Sequence, residues 1–158
     1  MSESRKCQVL VIGAGPGGYV AGIRAAQLGL DTIIVEGDKA GGTCLIRGCI
    51  PSKAIIHAAE RFESLRQHSS DGGHMGLSVK GQAEVDMREL VSWKDSIVDR
   101  LNKGVEGLLK AAGADLIKGW ASFDGPKSCT VETDGASLKI EAENVIIATG
   151  SSPIDLPF

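Results

Sequence analysis

Cys44 and Cys49 carry the most evident chemistry in the chain. They stand in Gly41-Gly42-Thr43-Cys44-Leu45-Ile46-Arg47-Gly48-Cys49-Ile50-Pro51-Ser52-Lys53. Two thiols that interconvert with a disulfide exchange two electrons. A bridge needs Cα atoms roughly 4.4–6.8 Å apart. A fully extended span of this length reaches about 17 Å, and five helical steps advance about 7.5 Å. The segment must therefore bend, and Gly41, Gly42 and Gly48 supply backbone freedom for that. Pro51 suits the first turn of a helix. Cys49 then stands beside a helix N-terminus, where the positive dipole end favours thiolate, with Arg47 and Lys53 adding positive charge. The stretch reads as a redox-active dithiol. Two plainer readings stand beside it. Zinc would call for closer cysteine pairs and four ligands, and the nearest histidine, His57, lies beyond Pro51; no metal site is expected. Buried, inert thiols are the other alternative.

The second chemical feature is Gly13-Ala14-Gly15-Pro16-Gly17-Gly18, a G-x-G-x-x-G match at Gly13, Gly15 and Gly18. It follows the β-branched run Gln8–Ile12 and opens a helical pattern through Val20, Ile23, Ala26 and Leu28 that Gly29 ends. A second strand, Asp31–Glu36, finishes on an acid. Strand, glycine turn, helix, strand and terminal acid form the context that gives this motif its meaning. The first glycine makes the turn, the second admits a pyrophosphate, the third lets helix and strand pack, and the helix N-terminus attracts the anion. Glu36 would accept hydrogen bonds from a ribose. The motif serves FAD and NAD alike, and the acid disfavours a 2′-phosphate and hence NADP.

These two features need elements to hold them. A helix is expected over about Pro51–Gln67, with Ile55, Ala58, Ala59, Phe62 and Leu65 on an apolar side and His57 as a packing or surface residue. Ser69–Gly76 reads as a loop flanked by His68 and His74, neither given a chemical role. Asp86 can cap a long helix to about Ala112 through Leu90, Val91, Ile97, Val98, Leu101, Val105, Leu108 and Leu109. Trp93 is read there as a core or helix-contact residue. Asp115–Lys118 is a third strand. An antiparallel excursion follows: Gly119–Phe123, Ser128–Glu132 and Ser137–Ile140, turning at Asp124-Gly125-Pro126 and Asp134-Gly135. Asn144–Ala148 returns as a buried strand running into Thr149-Gly150-Ser151, and Ser152-Pro153 and Leu156-Pro157 read as linker.

Composition excludes several classes. The 158 residues are 42% hydrophobic and 23% charged, with a formal charge of −3, values of one globular domain. No basic run suggests nucleic acid, and no apolar run approaches membrane-spanning length. Met1–Lys6 is short and polar, without a signal core. Isolated Cys7 and Cys129 fit a reducing compartment, so a cytoplasmic location is expected.

The glycine motif, Glu36, GGTC-x4-C-IPSK and ATGS-x-P, in this order and spacing across residues 7–158, resemble the flavin pyridine-nucleotide disulfide oxidoreductases. Gly48-Cys49-Ile50-Pro51-Ser52-Lys53 looks most like the branch that oxidises dihydrolipoamide. Glutathione reductases usually carry lysine at Ser52, and mercuric reductases tend to carry valine at Ile50. The chain departs from the family at Ile46-Arg47, where Asn-Val is usual.

The resemblance implies a Rossmann-like FAD-binding α/β fold: a parallel sheet with helices on both sides and an antiparallel β-meander excursion, truncated relative to the family. Residues 1–150 would be the N-terminal part of that domain and 151–158 the start of a linker to an NAD-binding domain. It implies that Cys44 is the interchange thiol, that Cys49 faces the flavin, and that Lys53 sits near flavin N5. Gly13, Gly15, Pro16, Gly17 and Gly18 would surround the pyrophosphate, Glu36 the adenosine ribose, and the backbone around Ala121 the adenine. Gly42, Thr43 and Cys44 would contact the cofactor, and Thr149, Gly150 and Ser151 line its adenosine half. The implied partners are dihydrolipoamide on a lipoyl-bearing E2 component, NAD⁺ at a site outside this chain, and a second subunit. The alternatives are a related flavin disulfide or mercuric reductase, and a naturally short, non-catalytic nucleotide-binding or redox-sensing module. A missing remainder would also leave sheet edge and apolar surface exposed.

Overall fold

The computed structural model describes residues 3–69 and 76–157. His74 and most of the expected 69–76 loop lie outside them. The elements are β1 (Glu3–Ile12), α1 (Pro16–Gln27), β2 (Thr32–Glu36), α2 (Gly42–Ile46), α3 (Cys49–Ser69), α4 (Met87–Ala112), β3 (Asp115–Lys118), β4 (Trp120–Gly125), β5 (Ser128–Thr133) and β6 (Ala136–Ile147).

The strands form one six-stranded sheet in the order β3-β2-β1-β6-β5-β4. The pairs β1–β2, β2–β3 and β1–β6 are parallel, so the carboxyl ends of these four strands share one edge. The pairs β4–β5 and β5–β6 are antiparallel. β3 and β4 occupy opposite edges, yet only Gly119 separates them in the chain. The sheet therefore curls until its two edges meet. The Gly119 amide donates to the Glu36 carbonyl at 2.9 Å. A Cβ at Gly119 would stand 2.5 Å from the Glu132 carbonyl oxygen and 2.8 Å from Val131 Cγ1. Gly119→Ala must push backbone from backbone, and overpacking of this kind costs about 1–3 kcal/mol. Thermal unfolding should show a fall of about 2–4 °C for each kcal/mol lost; an unchanged Tm would mean the edges are free to part.

One face of the sheet is covered by helices. Val9, Val11, Ala14, Ala25, Ile34, Ala40, Val105 and Leu109 form this core, which takes in α1 and α4. The other face holds Leu10, Ile12, Ile33 and Val35 against Cys7, Cys129, Val131, Leu138, Ile140 and Ala142, all of them strand residues. The expected second helix layer is thus replaced by the folded-back meander. α4 buries Val98, Asn102, Val105 and Leu109, a stripe at helical spacing. Asp86 caps it as expected, accepting from the Arg88 and Glu89 amides at 2.8 and 3.0 Å. Nothing lies within 4 Å of a Cβ at Gly104 or Gly107, so packing does not explain either glycine.

Five further expectations need correction. β1 starts at Glu3 rather than Gln8, because residues 3–7 pair with the meander half of β6. The strands expected at 137–140 and 144–148 are one continuous β6, with Ala142 pairing to Cys7 between them. The end of β6 is not buried: Ile147 is 68% exposed. β5 pairs with β6 only as far as Glu141, so beyond it β6 has a neighbouring strand on one side alone among the described residues. Finally, α3 buries only Ala54, leaving Ile55 and Leu65 exposed, and Trp93 is an exposed α4 residue rather than a core one. No helix among the described residues is long and apolar enough to cross a membrane.

Candidate functional site at the carboxyl edge of the parallel strands

The glycine turn sits where β1 gives way to α1. The Gly13 amide donates to the Val35 carbonyl at 2.7 Å, and the Ala148 amide to the Ile12 carbonyl at 2.8 Å. The turn is thereby fixed between the ends of β2 and β6. Gly13 has φ +98°, and a Cβ there would meet the Ala148 carbonyl oxygen at 2.4 Å. A Cβ at Gly18 would stand 1.8 Å from the Gly13 carbonyl oxygen. These two glycines are demanded by the protein's own backbone.

Gly15 and Gly17 are different. The nearest atom to a Cβ at Gly15 is Gly42 Cα at 3.8 Å, an ordinary contact, and nothing lies within 4 Å at Gly17. Packing within the chain requires glycine at neither position, whereas a ligand approaching the backbone would. α1 begins on Gly15 with no side-chain cap and no acid in its first turn, so its first amides are available to an anion. This cradle fits the pyrophosphate of a dinucleotide.

Glu36 closes the cradle. One carboxylate oxygen accepts from the Ala14 amide at 2.6 Å and the other from the Asp38 amide at 2.9 Å. The acid thus orders the glycine turn, and each oxygen keeps a second lone pair for a ribose hydroxyl. The ordering role was not read from the sequence.

The dithiol segment is built on the same turn. The Gly41 amide donates to the Ala14 carbonyl at 2.8 Å, and a Cβ at Gly42, φ +65°, would come within 2.7 Å of Gly15 Cα. Backbone stacks on backbone there. Asn102 Nδ2 reaches from the apolar stripe of α4 to the Ala40 carbonyl at 2.6 Å, holding the entry to α2 in a buried setting. Sequence reading missed Asn102; its signal was a polar residue at a stripe position, between Val98 and Val105.

The bend between the cysteines is a broken helix. α2 carries Cys44 and stops at Arg47; after Gly48 a new helix starts on Cys49. The Cα atoms are 4.7 Å apart, and the sulfurs are at disulfide contact. Pro51 lies in the first turn of α3, as expected, although that helix begins two residues before it. Cys49 is exposed and Cys44 half-buried. Arg47, between them, forms an exposed ion pair with Asp38. Thr43 is exposed in α2, and Lys53 is exposed one turn beyond Cys49.

The edge therefore brings together Gly13–Gly18, Glu36, Gly42 and the 148–149 backbone. Gly150, with φ +75°, and Ser151 follow, both exposed. Lys53 stands on α3 and Ala121 on β4, and the Ala121 side chain packs on the meander core. His57 is exposed on α3. No group of His, Cys, Asp or Glu that could hold a metal ion occurs among the described residues. The free thiols Cys7 and Cys129 are buried. Burial first, and then Asp31, pushes the Cys7 thiol up to about 11; burial and Asp124 raise Cys129. Both stay protonated and unreactive at neutral pH.

Comparison with known proteins adds relatives to this geometry. The family model described as pyridine nucleotide-disulphide oxidoreductase matches residues 7–158. A dihydrolipoyl dehydrogenase of Pseudomonas aeruginosa is 49% identical over 158 residues, covering 99% of this chain and 34% of its own length. One from Bacillus subtilis is 49% identical over 148 residues, covering 94% and 30%. Among solved structures, the Cu(II) complex of the HOCl-induced flavoprotein disulfide reductase RclA of Escherichia coli aligns with TM-score 0.78 at 25% identity, covering 96% of this chain and 30% of that one. The chain spans about a third of the length of the curated relatives it matches.

Proposed function

The chain belongs to the pyridine nucleotide-disulphide oxidoreductase family, and on that premise we propose that it is the FAD-binding, disulfide-bearing part of an enzyme that oxidises dihydrolipoamide. The substrate would be carried on the lipoyl-bearing E2 component of a cytoplasmic 2-oxo acid dehydrogenase complex, with NAD⁺ as final acceptor and a homodimer as the working form. In this reading residues 1–150 belong to the FAD domain and 151–158 lead out of it. The carrying observation is the stacking of Gly42 on Gly15, which joins the disulfide segment to the nucleotide cradle backbone to backbone. Relatives named dihydrolipoyl dehydrogenase at 49% identity favour this substrate over that of the reductase at 25%.

Gly13, Gly15, Pro16, Gly17 and Gly18 would hold the pyrophosphate and Glu36 the ribose. Gly42, Thr43, Cys44 and Lys53 would line the flavin side, with Thr149, Gly150, Ser151 and the Ala121 backbone on the adenosine side. Bound FAD supplies two-electron acceptance from the reduced cysteine pair and hydride donation to a nicotinamide. The protein's own part is thiol exchange. A substrate thiolate attacks the Cys44 sulfur, forming a mixed disulfide, and Cys49 leaves as thiolate at the start of α3, where the helix dipole stabilises it. The second substrate thiolate then displaces Cys44, closing the cyclic disulfide. The substrate loses two electrons and the cysteine pair gains them. In the bare chain Cys49 is the more exposed residue of the pair; a cofactor lying on it would leave Cys44 as the open one.

Dihydrolipoamide added to the oxidised chain should release two titratable thiols per molecule, while Cys7 and Cys129 stay silent, and one equivalent of lipoamide disulfide should form. A chain that glutathione reduces and dihydrolipoamide does not would contradict the substrate assignment.

A further inference from the structure

Trp120 is 73% exposed, an unusual position for the largest apolar side chain. It stands at the start of β4, directly after Gly119, whose amide is bonded to the Glu36 carbonyl. The indole lies over Gly37. A Cβ built on Gly37 would come within 2.7 Å of Trp120 Cε2, 2.9 Å of Cδ2 and 3.0 Å of Cζ2. Cε2 is bonded to three ring atoms and has no open edge, so an approach closest to it comes from the ring face. Glycine at 37 thus lets the indole lie flat on the main chain one residue beyond the acid of the nucleotide cradle. With Gly37 on its inner face and high overall exposure, the ring has its outer face open.

We propose that Trp120, seated on Gly37, is a stacking platform for the purine base of the bound adenine nucleotide. This rests on the nucleotide-binding reading above and adds a residue to it. A base stacks readily on an aromatic face, and the shelf rests on the residue next to Glu36, whose carboxylate would hold the attached ribose. Ala121, the next residue, turns its side chain inward to the meander core, so the indole is the part of this strand's start that faces outward.

The chain has two tryptophans, so Trp93→Phe leaves Trp120 as sole emitter. In that background, added ADP should quench the emission. Calorimetry with ADP should show Trp120→Ala weakening affinity roughly tenfold or more, with Trp120→Phe retaining most of it. Gly37→Val, which displaces the ring, should weaken it likewise. Circular dichroism of each variant should match the parent chain. If Trp120→Ala binds ADP as tightly as the parent, the platform is overturned and the nucleotide site stands. If the parent chain binds neither ADP nor FAD, both readings fall.

Discussion

Replacing either Cys44 or Cys49 by serine is expected to abolish disulfide exchange with dihydrolipoamide, because two electrons can be stored only by the pair. The two variants should differ in a second respect. In Cys44→Ser the remaining Cys49 is exposed at the start of a 21-residue helix, where the dipole favours thiolate. In Cys49→Ser the remaining Cys44 is half-buried within five-residue α2. Alkylation of Cys49 should be several-fold to about tenfold faster, since a stabilisation of about 0.3–1 kcal/mol from the dipole adds to its exposure. FAD should slow alkylation in Cys44→Ser and leave it little changed in Cys49→Ser. Equal protection of both thiols would mean that the cofactor does not lie against Cys49.

The second large effect is at Gly18. An alanine there would place Cβ 1.8 Å from the Gly13 carbonyl oxygen and 2.8 Å from its carbon. No rotamer relieves a clash with main chain, and Gly13 is held by its amide hydrogen bond to the Val35 carbonyl at 2.7 Å. Gly18→Ala should cost about 3 kcal/mol or more of stability and remove nucleotide binding. Gly17→Ala makes the informative contrast. Nothing occupies its Cβ position, and alanine is the better helix former by about 1 kcal/mol. Without ligand the variant should be as stable as the parent or more so; with FAD its affinity should fall. Denaturant unfolding with and without FAD separates the two. Unchanged affinity in Gly17→Ala would mean that the ligand keeps clear of this turn.

The conformations of the candidate site were legible because their signals are local. A glycine turn between strand and helix, an acid at a strand end and a cysteine pair inside a glycine-rich bend each name their own conformation. β3 and the Asp86 cap were legible for the same reason. What the sequence hid depends on distant partners. The curl of the sheet rests on Gly119 lying against Glu132, which no local pattern announces. The long course of β1 and β6 was obscured by a switch of faces: Gln8 and Val9 amides both donate to the Asp31 carbonyl at 3.0 Å. Cys7 thus faces the meander core although Val9, two residues on, faces the helices, and simple alternation fails. Asn102 looked like one more residue of an amphipathic helix, and its bond to Ala40 spans 62 positions. Arg47, read as added positive charge and as a departure from the family pattern, is paired with Asp38.

The central claim is that a flavin and the Cys44–Cys49 pair share one site on this chain. The most direct test is the absorbance spectrum of the chain reconstituted with FAD, before and after one equivalent of dithionite. A retained flavin band is expected that, after two-electron reduction, gains a long-wavelength shoulder from the Cys49 thiolate lying against oxidised flavin. The shoulder should vanish in Cys49→Ser. A chain that releases its FAD on desalting, or one whose flavin bleaches without the shoulder, would contradict that claim.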